Sequence, residues 1–167
     1  GVGLSEYVGA REDAGIEFLN GKLSGRSLFL IDGKNADAYL LANKSGELYL
    51  VEASAPGIEV IELTTVDKTR TSIELILKDV DADLLSGSDD RSIIEKVLDA
   101  GRIMLAADTV GAAQVMLDKS VAYSLERKQF GRLIGSFQAV KHMCAEMAAE
   151  LEPCHSMIWH AAHCFDN

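Results

Sequence analysis

Arg127, Lys128 and Arg132 crowd around Phe130 in a chain whose formal net charge is -10. Cations gathered against the sign of the whole molecule make a local site for an anion. A phenylalanine among them points to an anion that carries an aromatic group. A second constellation is Cys154, His155, His160, His163 and Cys164, whose three- and four-residue steps place metal-ligand types along one helical segment. Cys144 and Cys154 fall on an apolar seam, however, where free cysteine acts as a small hydrophobe, so no metal is expected. Met143, Met147 and Met157 are core or interface residues at helical spacing. The glycines at 1, 3 and 9 lack the strand-to-helix context of a dinucleotide loop.

The elements that must position the basic cluster are two long helical patterns. The first runs from about Ile93 to Phe130, with Ile103, Ala107, Val110, Gln114, Leu117, Val121 and Leu125 at steps of three and four. Gly101, Ala106, Ala107, Gly111, Ala112 and Ala113 keep its middle thin. The second carries Phe137, Val140, Cys144, Met147, Leu151, Cys154, Ile158, Ala161 and Phe165, a seam of period 3.5. Pro153 lacks an amide hydrogen and predicts a kink or restart there. Two such helices joined by a turn lie antiparallel, and a pair alone leaves part of both stripes uncovered, so further helices or subunits are expected to complete a bundle.

Ahead of the helices the period is two. Apolar runs at Gly15 to Leu19, Ser27 to Ile31, Ala38 to Ala42, Leu48 to Val51, Ile58 to Leu63 and Thr71 to Leu77 alternate with turn signals. Asn20–Gly21 and Asp32–Gly33 are of the residue types that tight hairpin turns use, because such turns need positive φ. The expected class is α+β: an antiparallel β domain over residues 1–86, then a long antiparallel helix pair over 87–167 from an up-and-down bundle. Leu84 to Asp90 reads as a polar linker able to cap the first helix.

The 48% hydrophobic and 25% charged composition supports a packed core. No apolar run approaches the roughly 18 residues of a membrane span, and nothing at the amino end reads as a signal peptide. Net acidity argues against nucleic acid or an anionic membrane as partner. The cysteines, Cys144, Cys154 and Cys164, are odd in number and clustered, which favours a reducing, cytoplasmic compartment over a disulfide framework.

Taken in order, Val110 to Gln114, Tyr123 to Gly131, Gly135 to Gln138 and Ala145 to Glu152 resemble the flavin-dependent acyl-CoA dehydrogenase family. In the β half, Leu23 to Gly25, Asp32–Gly33, Ala36–Asp37, Pro56–Gly57, Val66 to Arg70 and Leu77 to Val80 fall in the same family's order. The resemblance implies an enzyme with an amino-terminal helical domain, a middle β domain and a carboxy-terminal bundle that assembles dimers and tetramers. This chain corresponds to the later part of the β domain and the first two helices of the bundle. It further implies FAD as cofactor, acyl-CoA as substrate and electron-transfer flavoprotein as electron partner.

Residue by residue, the resemblance places Arg127, Gln129, Phe130 and Gln138 at the pyrophosphate and adenine end of FAD, usually the FAD of a neighbouring subunit. Guanidinium forks suit phosphate oxygens, amides supply neutral donors and an aromatic face suits adenine. Gly131 and Gly135 are expected to relax the turn. Asp99 and Arg102 fall where the family has an Asp-x-x-Arg pair near acyl-CoA; as a local pattern the same spacing makes a surface ion pair. No catalytic residue is assigned. The family reaction needs a carboxylate to take the proton α to the thioester carbonyl, and Glu126, Glu146, Glu150 and Glu152 read as solvated helix faces. The chain alone is therefore expected to be inactive. Where family members commonly read Trp-Ile-Thr beside the flavin, this chain has Phe29, Leu30 and Ile31, so the hydroxyl is absent. Two other readings are a helical oligomerisation module that binds no nucleotide, and a diverged relative of the acyl-CoA oxidases.

Overall fold

The computed structural model describes residues 1–4, 7, 9, 11–85, 87 and 91–166. By internal contacts the chain divides into Gly1–Glu95 and Lys96–Asn167. The class is α+β.

The first unit is a sandwich of two four-stranded sheets. Its strands are β1 (Val2–Gly3), β2 (Gly15–Leu19), β3 (Lys22–Ile31), β4 (Ala38–Ala42), β5 (Leu48–Glu52), β6 (Ile58–Leu63), β7 (Ser72–Asp81) and β8 (Asp83–Leu84). One sheet has the order β1-β4-β5-β8 and the other β2-β3-β7-β6. The six expected strands are all present, and β3 and β7 are longer than their apolar runs. The two short strands give no signal in the sequence, because two residues carry no periodicity. One of them, β1, pairs parallel with β4, so the sandwich is not wholly antiparallel. Leu84, expected in a linker, pairs with Tyr49; Ser86 and Ser88 to Asp90 lie outside the described residues.

Alternation closes the core. Ile16, Leu23, Leu30, Ile73, Leu75 and Leu77 from one sheet meet Tyr39, Leu41, Tyr49 and Val51 from the other. Each aliphatic side chain so buried contributes about 1.5–3 kcal/mol. A second, smaller cluster joins Ala42 and Leu48 to Ile94. Asn20 and Gly21, at φ 53° and 79°, turn β2 back onto β3. Asp32–Gly33 is not a hairpin: Asp32 has φ 52° but leads into a single 3-10 turn, and β3 pairs instead with the distant β7. A local sequence signal for positive φ does not reveal which strand follows.

The second unit is built on α1 (Arg91–Glu126) and α2 (Gln138–Asp166). The first helix stops at Glu126 rather than near Phe130, because the next residues form a two-stranded ribbon, β9 (Lys128–Gln129) and β10 (Arg132–Leu133). A groove of about 330 Å³ runs between the helices, with Ala113, Met116 and Leu117 opposite Met147, Leu151 and Cys154. The helices run antiparallel there. Near its end α2 half-buries Ala162 instead of Ala161. That drift is what a 3.6-residue turn gives against a seam read at 3.5. The chain stays helical through Pro153. Among the described residues, no helix is long and apolar enough to cross a membrane.

Candidate functional site

The basic cluster stands on the ribbon between the helices. Phe130 and Gly131 form its two-residue turn, at φ 52° and 77°. Positive φ at both central residues is the hairpin geometry that fits the twist of the flanking strands. Glycine adopts it freely; phenylalanine does so at a cost of about 1–2 kcal/mol. Phe130 is nevertheless 92% exposed. Burial therefore does little to offset the strained backbone at this residue.

Register assigns the faces. Gln129 pairs with Arg132 and Lys128 with Leu133, and the Ile134 amide donates to the Arg127 carbonyl at 2.8 Å. Alternation along each strand then puts Arg127, Gln129 and Arg132 on one face and Lys128 on the other. No ion pair engages Arg127, Lys128 or Arg132 among the described residues. On a chain of net charge -10, they concentrate positive charge at the ribbon, Arg127 and Arg132 on one face and Lys128 on the other.

The return from ribbon to α2 is held tightly. A 3-10 turn, Ile134–Ser136, follows β10, and the Phe137 amide donates to the Ile134 carbonyl at 3.0 Å. A Cβ on Gly135 would stand 2.9 Å from the Ser124 carbonyl oxygen. Close approach, rather than a special φ, is therefore what requires glycine there. Ser124 is only 6% exposed, and its hydroxyl donates to the Val121 carbonyl at 2.7 Å. The Phe130 and Phe137 rings meet edge to face, 6.1 Å between centroids at an 82° interplanar angle. The Arg132 guanidinium lies 4.0 Å from the centre of the same ring.

The ribbon thus brings Arg127, Gln129 and Phe130 together, with Gln138 at the start of α2. Asp99 and Arg102 are elsewhere: residues 103 to 126 of α1 lie between Arg102 and Arg127, about 38 Å at 1.5 Å per residue. They form an ion pair of 2.7 Å with both side chains more than half exposed. Reading the sequence as helix up to Phe130 conceals the face assignment, and with it the partnership of Arg132 and Phe137. The signal for the ribbon is an X-Gly pair between two short polar runs. His160 and Cys164 approach at 3.6 Å, and no group of three or more His, Cys, Asp or Glu able to hold a metal occurs among the described residues.

In the β unit, the segment aligned with Trp-Ile-Thr sits on β3 at a register shift between Ser27 and Leu30. Phe29 has φ 60° and is exposed, Leu30 is buried, and Ile31 is exposed. The outward face there offers an aromatic ring and an aliphatic chain without a hydroxyl.

Residues 91–167 match the family model "Acyl-CoA dehydrogenase, C-terminal domain". The caffeyl-CoA reductase-Etf complex subunit CarC of Acetobacterium woodii is 44% identical over 72 residues, covering 43% of this chain and 19% of that protein. The probable acyl-CoA dehydrogenase YngJ of Bacillus subtilis is 36% identical over 138 residues, covering 79% of this chain and 35% of that protein. Among solved structures, a glutaryl-coenzyme A dehydrogenase in complex with glutaryl-CoA superposes with a TM-score of 0.84 at 28% identity, over 97% of this chain and 46% of that one. The chain belongs to the acyl-CoA dehydrogenase family. It spans less than half the length of each of these relatives.

Proposed function

We propose that this chain supplies one wall of the FAD site, and part of the subunit interface, of a flavin-dependent dehydrogenase that oxidises acyl-CoA to 2,3-enoyl-CoA. The observation that carries the reading is the ribbon: the Arg127 guanidinium, without an ion pair among the described residues, and the Gln129 amide on one face, with an exposed phenylalanine held at positive φ beside them. The donor set fits a dinucleotide. Arg127 donates in a fork to diphosphate oxygens, Gln129 and Gln138 provide neutral partners, and Phe130 offers its ring to adenine. FAD, when bound, accepts the hydride from the β carbon of the acyl chain. Asp99 and Arg102 contact acyl-CoA at the far end of α1. Electron-transfer flavoprotein is the electron partner, a role in line with the Etf complex named for the Acetobacterium relative.

The ribbon is a single exposed wall, and no carboxylate near it is assigned as the base. By itself the chain is therefore expected neither to retain FAD tightly nor to oxidise acyl-CoA. Stoichiometric FAD surviving gel filtration of this chain, or turnover with an artificial electron acceptor, would overturn that statement. For the fuller reading, FAD is titrated into the polypeptide as its gene encodes it, wild type against Arg127→Ala. Loss of a charge-assisted fork should weaken binding by roughly tenfold to a hundredfold.

Exposed Met104, Leu105, Met143, Met157 and Trp159 favour association of the helical unit as part of the same function. Self-association, expected through the seam from Phe137 to Phe165, is assigned instead to these exposed residues, because Met147, Leu151 and Cys154 of that seam line the groove against α1. Light scattering at micromolar concentration should give a multiple of the chain mass, and a monomer mass would remove the interface from the proposal.

A further inference from the structure

We infer that Arg132, whose guanidinium lies over the Phe137 ring, is a second guanidinium of the diphosphate site, and that Phe137 is its positioning residue. The inference rests on the reading of the ribbon as a diphosphate wall and adds residues to it. Three observations carry it. The register pairs Arg132 with Gln129 and aligns it with Arg127, so the two guanidiniums share a face with the amide between them. The Arg132 guanidinium carbon sits 4.0 Å from the centre of the Phe137 ring, a distance at which the cation is attracted to the ring face. Arg132 makes no ion pair among the described residues.

Stacking and anion binding use different parts of a guanidinium. A guanidinium that stacks on a ring sets its flat face there, while its N–H donors lie in the plane and point outward from its edge. A ring that fixes the plane therefore pre-orders the donors, lowering the conformational entropy lost when phosphate arrives. Phe137 is itself held in two ways: its backbone amide donates to the Ile134 carbonyl, and its ring meets that of Phe130 edge to face. The strained turn at Phe130 thereby helps orient Arg132, which links the two unusual features of the ribbon. Lysine at 132 keeps the charge but has no plane to stack and no fork. Lys128, on the opposite face, shares the charge of the cluster but not the site.

The test uses the polypeptide as its gene encodes it, with any subunits it carries. Dissociation constants for FAD and for ADP are measured at low and high salt in wild type, Arg127→Ala, Arg132→Ala, Arg132→Lys, Phe137→Leu and Lys128→Ala. Arg132→Ala should weaken both ligands by about tenfold or more and flatten the salt dependence. Arg132→Lys should recover the salt dependence but only part of the affinity. Phe137→Leu, with all charges kept, should weaken both ligands about two- to fivefold, and Lys128→Ala should stay within about twofold. If Arg127→Ala weakens binding while Arg132→Ala leaves both affinities within twofold, the role of Arg132 is wrong and the diphosphate reading stands. If Arg132→Ala weakens binding with the wild-type salt dependence intact, its effect is structural and the inference also falls. If wild type binds neither FAD nor ADP, the diphosphate reading fails and takes this one with it.

Discussion

Every buried apolar side chain among the described residues lies between Ala14 and Ile94. In α2, by contrast, no residue is buried, and Trp159 stands 78% exposed. Both regions are rich in apolar residues, so composition does not explain the difference. Geometry does. Strands send alternate residues to one face, and two sheets stacked face to face enclose that face completely. Two antiparallel helices share only the narrow seam between them, and each keeps the rest of its circumference outside. The β unit's stability is therefore internal, whereas the helical unit leaves most of its apolar surface exposed.

The largest effect that probes this contrast is a matched pair of truncations. Leu75→Ala removes a fully buried side chain from the sandwich and should cost about 2–5 kcal/mol in denaturant unfolding followed by a β-sheet signal. Leu105→Ala removes a residue 61% exposed on α1 and should stay within about 0.5 kcal/mol under conditions where the chain is monomeric. A large cost for Leu105→Ala in the monomer would break the comparison.

The next effect lies inside the helical unit, where Gly135 packs against Ser124. Gly135→Ala drives a methyl to 2.9 Å from the Ser124 carbonyl oxygen and 3.0 Å from its hydroxyl. Overpacking of this kind costs about 1–3 kcal/mol. Gly131→Ala, where no atom lies within 4 Å of an added Cβ, tests the turn instead, and its φ of 77° predicts about 1–2 kcal/mol. Helix melting followed at 222 nm reads both. Equal loss of the ribbon in both variants, by amide exchange, would mean that packing at Ser124 is not the anchor.

How far the sequence discloses these features depends on their range. Period-two runs such as Ala38 to Ala42 and Ile58 to Leu63 match their strands, because each core residue declares itself by alternation alone. Asp32–Gly33 misleads because its positive φ is local, while the pairing of β3 with β7 spans a long stretch of chain. At the site, the residue types around Phe130 suffice to point to an anion. Which of the three cations share a face is set by the ribbon's register and is not legible in their spacing, since a helix and a hairpin send residues 127, 128 and 132 in different directions.

Acid should act on the β unit through Glu47. Its carboxylate accepts from Asn43 at 2.6 Å and from the Tyr49 hydroxyl at 2.9 Å, and these bonds, with Asn43's the largest influence, hold it below its ordinary 4.5. The sign follows from linkage. A group whose folded value is depressed gives its full stabilisation above the unfolded value of 4.5 and loses it as pH falls through the lower folded value. Half-exposed surroundings limit the amount to roughly 1 kcal/mol or less. Glu47→Gln should therefore lower stability at neutral pH and flatten the acid limb of the β unit's unfolding curve, while the helix signal is unmoved. An acid limb as steep as wild type would assign it to other carboxylates.

The smallest stability effect is expected at Asp99 and Arg102, and it separates two kinds of role. Their ion pair of 2.7 Å is i,i+3 on a helix, with side chains 54% and 66% exposed. Exposed pairs of this kind contribute about 0.2–1 kcal/mol and less in salt. If the pair is only a brace for α1, Asp99→Asn and Arg102→Gln each lower the helix melting point slightly, and the double variant is no worse than the sum. A role toward acyl-CoA predicts something else: unchanged melting, with weaker binding of an acyl-CoA to the complete polypeptide. Because about 38 Å of helix separates this pair from Arg127, such a loss should leave FAD affinity untouched. Coupled loss of both ligands would show that the two ends of α1 do not act independently.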